Sequence, residues 1–346
     1  MTPHRVRAGD VTPRHVGMVV AHAVRNAAGT KFVLRKGDVL AEENVGALRE
    51  LGDRELHLLE AGSEDIHEVE AGARLSQAIS GSGIELRGPA ESQYTLLAAH
   101  RGLLRVDVDA LEAVNSVAGI SVLTRFDYQP VDRGDELAGA KVTPFLLPRA
   151  SIERVERVCA ERPPLCVLPF RPMRVAALIL ERVDLRARDR FQAVLERKLA
   201  WFGSELVSVQ ESRPGQPYVE LIHGALASRP DAIMAAGASS LDPLEPLFGA
   251  LEEVGARIVK HGVPVHPGSL FWIAYVGASG GDVPLFGLSS CEMFSHKTIL
   301  DLVLPRLFAG EPIGHADLVR LGHGGMLGRE MAYRFPPYGD GPEGDH

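Results

Sequence analysis

The chain has 346 residues, of which 45% are hydrophobic and 24% charged, and its formal charge is −8. That length predicts two domains or three, and the composition is that of a globular chain, with disorder expected only at its ends. The acidic balance excludes a large nucleic-acid footprint, which needs a basic excess, yet leaves room for a small anion in a locally positive pocket. Three scattered cysteines, Cys159, Cys166 and Cys291, exclude a disulfide framework. They read as buried bystander thiols in a reducing compartment. Met1 to Asp10 carries charges where a signal peptide needs an apolar core, and no apolar run is long enough to span a bilayer. A soluble, cytoplasmic protein without a membrane partner is expected.

Residues 1–75 read as a small β/α module. Phe32-Val33-Leu34 predicts a strand, and Val45, Leu48 and Leu51 recur at helical spacing before Gly52. Glu55 to Leu59 predicts another strand, and the acidic residues after it (Glu60, Glu64, Asp65, Glu68, Glu70) read as a solvated face. Residues 76–165 form a β-rich segment with a terminal helix. Its strands are expected at Ile84–Leu86, Leu103–Val108, Gly119–Leu123 and Lys141–Leu147, and its helix at Arg149–Ala160. Arg162-Pro163-Pro164 and Arg171-Pro172 mark the main boundary, because proline restricts both itself and the residue before it.

From Arg174 the pattern changes. Arg174 to Leu180 is a near-continuous apolar run of the kind found in strands buried on both faces. Helices are predicted at Arg188–Phe202, Pro217–Ala227, Leu244–Val254 and Thr298–Phe308. Strands are predicted at Glu205–Val209, Asp231–Ala236, Phe271–Val276 and Val283–Leu288. Strands alternating with helices of this length predict an α/β, Rossmann-like three-layer domain with a mostly parallel sheet over 172–310. Residues 311–346 read as a Gly/Pro-rich tail whose last dozen residues are mobile.

The turn after the first strand of this domain is Glu181-Arg182-Val183, which lacks both the dinucleotide glycine fingerprint and a phosphate-binding P-loop. Ligands of open α/β sheets bind beyond the carboxyl ends of the strands. Gly237-Ala238-Ser239-Ser240-Leu241-Asp242-Pro243 follows one strand there, and Gly287-Leu288-Ser289-Ser290-Cys291 follows another. Asp242 has two readings: a cap for the helix beginning near Pro243, or a ligand contact beside that helix terminus. Between these segments, His261 to Gly268 forms a compact turn, and its two histidines do not by themselves make a metal site.

In this order the segments resemble the molybdopterin-binding domain of molybdenum-cofactor biosynthesis proteins, which include molybdopterin adenylyltransferases and molybdotransferases. The resemblance runs through Ile233–Pro243, Ala250–Ala256, His261–Gly268, Val283–Leu288 and Asp301–Leu307. It implies a pterin phosphate seated by Gly237, Ser239, Ser240, Pro267, Gly268, Ser289 and Ser290. It also places Asp242 near the acidic position that such enzymes use for metal or molybdate, with Mg as the metal expected there. Molybdopterin or the molybdenum cofactor is then the ligand. A molybdoenzyme or another cofactor-biosynthesis protein would be the partner, and the chain would form a homo-oligomer. The sequence departs from the family at three turns. Leu180-Glu181-Arg182-Val183 replaces a Thr-Gly-Asp-Glu type turn, Gly237-Ala238 replaces a Gly-Gly pair, and Ser289-Ser290-Cys291 replaces Pro-Gly-Asn. Three functions follow from the resemblance. The first is binding the cofactor in its biosynthesis or delivery. The second is nucleotidyl or molybdate transfer with Asp242 and Glu181 as the catalytic carboxylates. The third is a scaffold or regulatory module that has kept the fold and lost the ligand.

Overall fold

The computed structural model describes residues 1–90, 93–237, 246–278, 280–289 and 297–338. The chain divides into two compact units. The first holds residues 1–100, 104–127 and 133–167; the second holds 168–346 together with the short segments 101–103 and 128–132.

In the first unit, Thr2–Arg7 and Val19–Val20 flank Glu55–Glu60 in an antiparallel sheet. Its alternating inward residues, Leu56 and Leu58, pack with Val20, Leu40 and Leu48. A four-stranded antiparallel sheet runs Ile120–Thr124, Glu136–Val142, Gln93–Ala98, Ile84–Ala90. The acidic stretch after residue 60 is not simply a solvated face. Asp65–His67 is a strand and Glu68–Ile79 a helix. Ala71, Leu75 and Ile79 of that helix are buried, as is Glu68 in its first turn. A carboxylate there suits the positive end of a helix. The helix packs against Arg149–Cys159, and Arg74 makes a two-pronged pair with Glu156 at 2.7 and 2.7 Å. The single strand expected over Lys141–Leu147 is two, Glu136–Val142 and Leu146–Pro148.

Cys159 is buried at the end of the Arg149–Cys159 helix, and both it and Cys166 are free thiols. Cys291 lies outside the described residues. Burial pushes the Cys159 thiol up to about 11. The neutral thiol therefore contributes stability that is fully present below the ordinary thiol pKa of about 8.5 and is lost as pH rises toward 11. Urea unfolding of the wild type, compared with Cys159→Ala, is expected to show an extra loss of about 1–3 kcal/mol between pH 8 and pH 11.

The second unit is built around a six-stranded sheet and five α-helices among the described residues, in the order β1 (Arg174–Ile179), α1 (Leu185–Trp201), β2 (Glu205–Glu211), α2 (Tyr218–Ala227), β3 (Ala232–Ala236), α3 (Pro246–Glu253), β4 (Arg257–His261), β5 (Trp272–Ala278), β6 (Gly281–Leu288), α4 (Leu300–Phe308) and α5 (His315–Arg320). The sheet order is β2-β1-β3-β6-β5-β4. Parallel ladders join β2 to β1, β1 to β3 and β3 to β6, while β5 is antiparallel to both of its neighbours. Five strands therefore point one way and β5 the other.

The apolar run of β1 serves both faces of this sheet. Val175, Ala177 and Ile179 pack with Phe191, Leu195 and Leu199 of α1 and Val303, Leu304 and Leu307 of α4. Ala176, Leu178 and Leu180 pack with Leu221, Ile222 and Ala225 of α2 and Leu247 and Leu251 of α3. A strand covered on both faces needs no polar alternation, which is why it reads as continuous. Asp184 caps α1 by accepting from the Ala187 backbone N–H at 2.7 Å. No described helix is long and apolar enough to cross a membrane.

The tail also departs from the sequence reading. Residues 315–320 form α5, residues 329–334 a 3-10 turn, and Phe335 is buried. Residues 335–338 are docked on the unit through Tyr338, whose hydroxyl donates to Asp301 at 2.8 Å.

Candidate functional site

Strand direction brings the described parts of the predicted segments to one edge. Strands β1, β2, β3, β4 and β6 end there, and β5 begins there. Glu181 follows β1, Gly237 follows β3, and Ser289 follows β6, on three neighbouring strands. The chain leaves β1 toward α1 on one face of the sheet and leaves β3 toward α3 on the other. Neighbouring strands whose connections go to opposite faces mark the usual ligand position in open α/β sheets.

Backbone bonds fix the edge. Leu180 N–H donates to Ala236 O at 2.8 Å, Gly237 N–H to Leu288 O at 3.1 Å, and Ser212 N–H to Ile179 O at 2.8 Å. Gly237 has φ +85°, and a Cβ at this position would run into the Glu181 side chain. The glycine thus serves both the left-handed turn and the close approach of the carboxylate. Gly237→Ala is expected to cost about 1–3 kcal/mol in urea unfolding, because it combines αL strain with that overlap. Ser289 is buried, with 4% of its surface exposed.

Pro267 and Gly268 lie at the same edge, in the turn joining β4 to β5. Both residues touch the start of α4. Ile299 N–H donates to Pro267 O at 3.3 Å, and the Ile299 side chain covers the Gly268 α-carbon. The structure therefore brings Glu181, Gly237 and Ser289 together and sets the Pro267-Gly268 turn farther along the edge. Ser239, Ser240, Asp242 and Ser290 lie outside the described residues.

The edge also carries residues that the sequence reading did not single out. A cavity of about 700 Å³ opens beyond the ends of β1 and β2, lined by Glu181, Arg182, Arg188, Glu211, Ser212, Arg213 and Gln216 among others. A second hollow of about 490 Å³ adjoins it and shares Arg182, Ser212, Arg213 and Gln216. Its remaining lining includes Pro217 and Tyr218 at the start of α2. Arg188 is ion-paired with Glu211. The guanidiniums of Arg182 and Arg213 are exposed and have no ion-pair partner among the described residues. Beside these two arginines the wall carries Ser212 and Gln216, and the Glu181 carboxylate faces the same space. Among the described residues no group of three or more His, Cys, Asp or Glu side chains is placed to hold a metal ion. The expected Mg position, Asp242, lies outside them.

No family model matches the sequence, and no curated protein matches it. Among solved structures, similarity is found to the tungsten cofactor synthesizing protein MoaB from Pyrococcus furiosus, with 13% identity, TM-score 0.26, and coverage of 40% of this chain and 94% of that one. A molybdenum cofactor biosynthesis protein from the same organism gives 12% identity and TM-score 0.24, over 90% of this chain and 65% of that one. The molybdopterin biosynthesis enzyme MoaB from Thermus thermophilus gives 18% identity and TM-score 0.28, over 40% of this chain and 98% of that one. Identities of 12% to 18% with TM-scores of 0.24 to 0.28 transfer neither a ligand nor an activity to this chain.

Proposed function

We propose that the carboxyl edge of the α/β unit binds molybdopterin or the molybdenum cofactor, in its biosynthesis or its delivery to a molybdoenzyme. The observation that carries this reading is the cavity lined by Arg182, Arg188 and Arg213, into which Glu181 also faces beside the Gly237 turn. Its volume of about 700 Å³ suits a small organic ligand, and small-molecule sites commonly span ~300–1,000 Å³. A pterin phosphate presents a dianionic group, and Arg182 and Arg213 supply paired N–H donors of matching geometry. The succession of sequence segments between Ile233 and Leu307 that resembles the molybdopterin-binding domain supports the same ligand.

A transfer reading draws on one further observation, that Glu181 lines this cavity and touches the Gly237 turn. A carboxylate there could take part in nucleotidyl or molybdate transfer, whereas Asp242, its proposed companion, is outside the described residues.

Equilibrium binding tests the reading with two probes, the fluorescent oxidised pterin phosphate and its dephosphorylated counterpart. The phosphorylated probe is expected to bind about tenfold tighter or more, since one charge-assisted hydrogen bond is worth about 1.5–3 kcal/mol. Equal affinities would remove the arginines from the site. Binding of neither probe would remove the pterin and favour a scaffold.

A further inference from the structure

The α/β unit contains a buried charged cluster that the proposed ligand does not touch. Asp301, in the first turn of α4, is 0% exposed, and Lys198 on α1 is 3% exposed. Lys198 Nζ donates to Asp301 Oδ1 at 2.7 Å, and the Tyr338 hydroxyl donates to the same oxygen at 2.8 Å. The Thr298 backbone N–H donates to Oδ2 at 2.8 Å. Three separate parts of the chain, namely α1, the approach to α4 and the C-terminal segment, thus meet on one carboxylate.

A buried ion pair is weak evidence for stability, because desolvation offsets most of the Coulombic gain; its best-attested use is to specify one arrangement. The arrangement specified here leads to the ligand edge. Between Thr298 and Asp301 stands Ile299, which bonds Pro267 O through its backbone N–H and covers Gly268 with its side chain. Gly268 has φ +126°, and any Cβ there would collide with Ile299 Cγ2. Gly268 O in turn accepts from Phe271 N–H at 3.0 Å.

The C-terminal segment reaches the same turn by a second route. His266 N–H donates to Gly325 O at 2.8 Å, and Leu327 N–H donates to His266 O at 2.8 Å. Both backbone groups of the residue before Pro267 are therefore held by residues 325–327. Farther on, Arg334 donates to Gly324 O at 2.6 Å, and the Tyr338 ring stands edge-on to Trp201, with centroids 6.2 Å apart. Burial, and then the neighbouring Asp301 carboxylate, push the Tyr338 phenol well above its ordinary range, so that it stays a donor.

We propose that residues 325–338 are a strap that positions the Pro267-Gly268 turn, gripping it directly at His266 and indirectly through Tyr338, Asp301 and Ile299. Tyr338 is a positioning residue in this scheme. Its consequence for ligand affinity rests on the pterin reading; its consequence for the turn does not.

The test is Tyr338→Phe in the full chain, which keeps the ring and the Lys198–Asp301 pair and removes one donor. Hydrogen exchange is expected to accelerate several-fold at the Ile299 and Phe271 amides, with those of β1 and β3 unchanged. Affinity for oxidised pterin phosphate is expected to fall several-fold, with the unfolding midpoint close to wild type. Unchanged exchange at Ile299 and Phe271 would overturn the strap, as would an equal acceleration throughout the unit, which marks global loosening. A second variant, Tyr338→Leu, should enlarge the same local pattern; a pattern that does not grow also counts against it. Local acceleration in a chain that binds no pterin supports the strap and removes only the ligand reading.

Discussion

Asp301→Ala is expected to destabilise the α/β unit by about 3–5 kcal/mol, the usual cost of stranding one partner of a buried ion pair. The reason lies with the group left behind. Lys198, 3% exposed, would lose the oxygen 2.7 Å away, and the Tyr338 hydroxyl and Thr298 N–H would lose their acceptor. Against a typical total stability of about 5–15 kcal/mol, such a loss leaves the unit marginal or unfolded at 37 °C. The paired variant Lys198→Met with Asp301→Asn is expected to recover most of it. Asparagine can turn its carbonyl oxygen to the Thr298 N–H and donate its amide N–H to the Tyr338 hydroxyl, and no charge is stranded. Urea unfolding midpoints of the three proteins check the ordering. If Asp301→Ala were nearly neutral, or the paired variant no better than the single one, the cluster would not be a compensated ion pair.

Arg182→Ala combined with Arg213→Ala is expected to weaken pterin phosphate binding by more than ~100-fold, since two charge-assisted contacts of about 1.5 kcal/mol or more each are removed. Stability should hardly change, because neither guanidinium has an ion-pair partner among the described residues. Both side chains are exposed, so wild-type affinity should also fall as ionic strength rises. Isothermal titration of both proteins at low and at physiological salt separates the two effects. A double variant that binds as the wild type does would move the ligand out of the arginine-walled cavity.

The α/β unit was legible in the sequence because its strands are buried on both faces and its helices carry clear apolar stripes. Runs such as Arg174–Ile179 and Ala232–Ala236 have few competing readings. The β4 strand at Arg257–His261 was missed for the opposite reason, since an edge strand with no fully buried residue has no apolar run to show. In the first unit, Glu68–Ile79 was hidden by glutamates in its first turn, which read as solvated surface although Glu68 is buried. Tertiary packing, not local pattern, decides such cases.

Of the site, the strand-end turns could be read locally, and Glu181, Gly237 and Ser289 do meet on neighbouring strands. Arg182 and Arg213 could not be paired by reading, because they follow different strands and only the parallel ladder of β1 and β2 brings their loops together. The Lys198–Asp301–Tyr338 cluster did leave a signal. Lys198 interrupts the stripe of Phe191, Leu195, Leu199 and Phe202 on α1, and a lysine within an apolar stripe asks for a buried partner.

Occupancy of this edge by a pterin is tested most directly by purifying the chain from a host that makes molybdopterin, oxidising it in acid and measuring pterin fluorescence. Wild-type protein is predicted to give a stoichiometric signal that is lost when Arg182 and Arg213 are both alanine. Folded wild-type protein with no signal, or an equal signal from the double variant, would contradict the account.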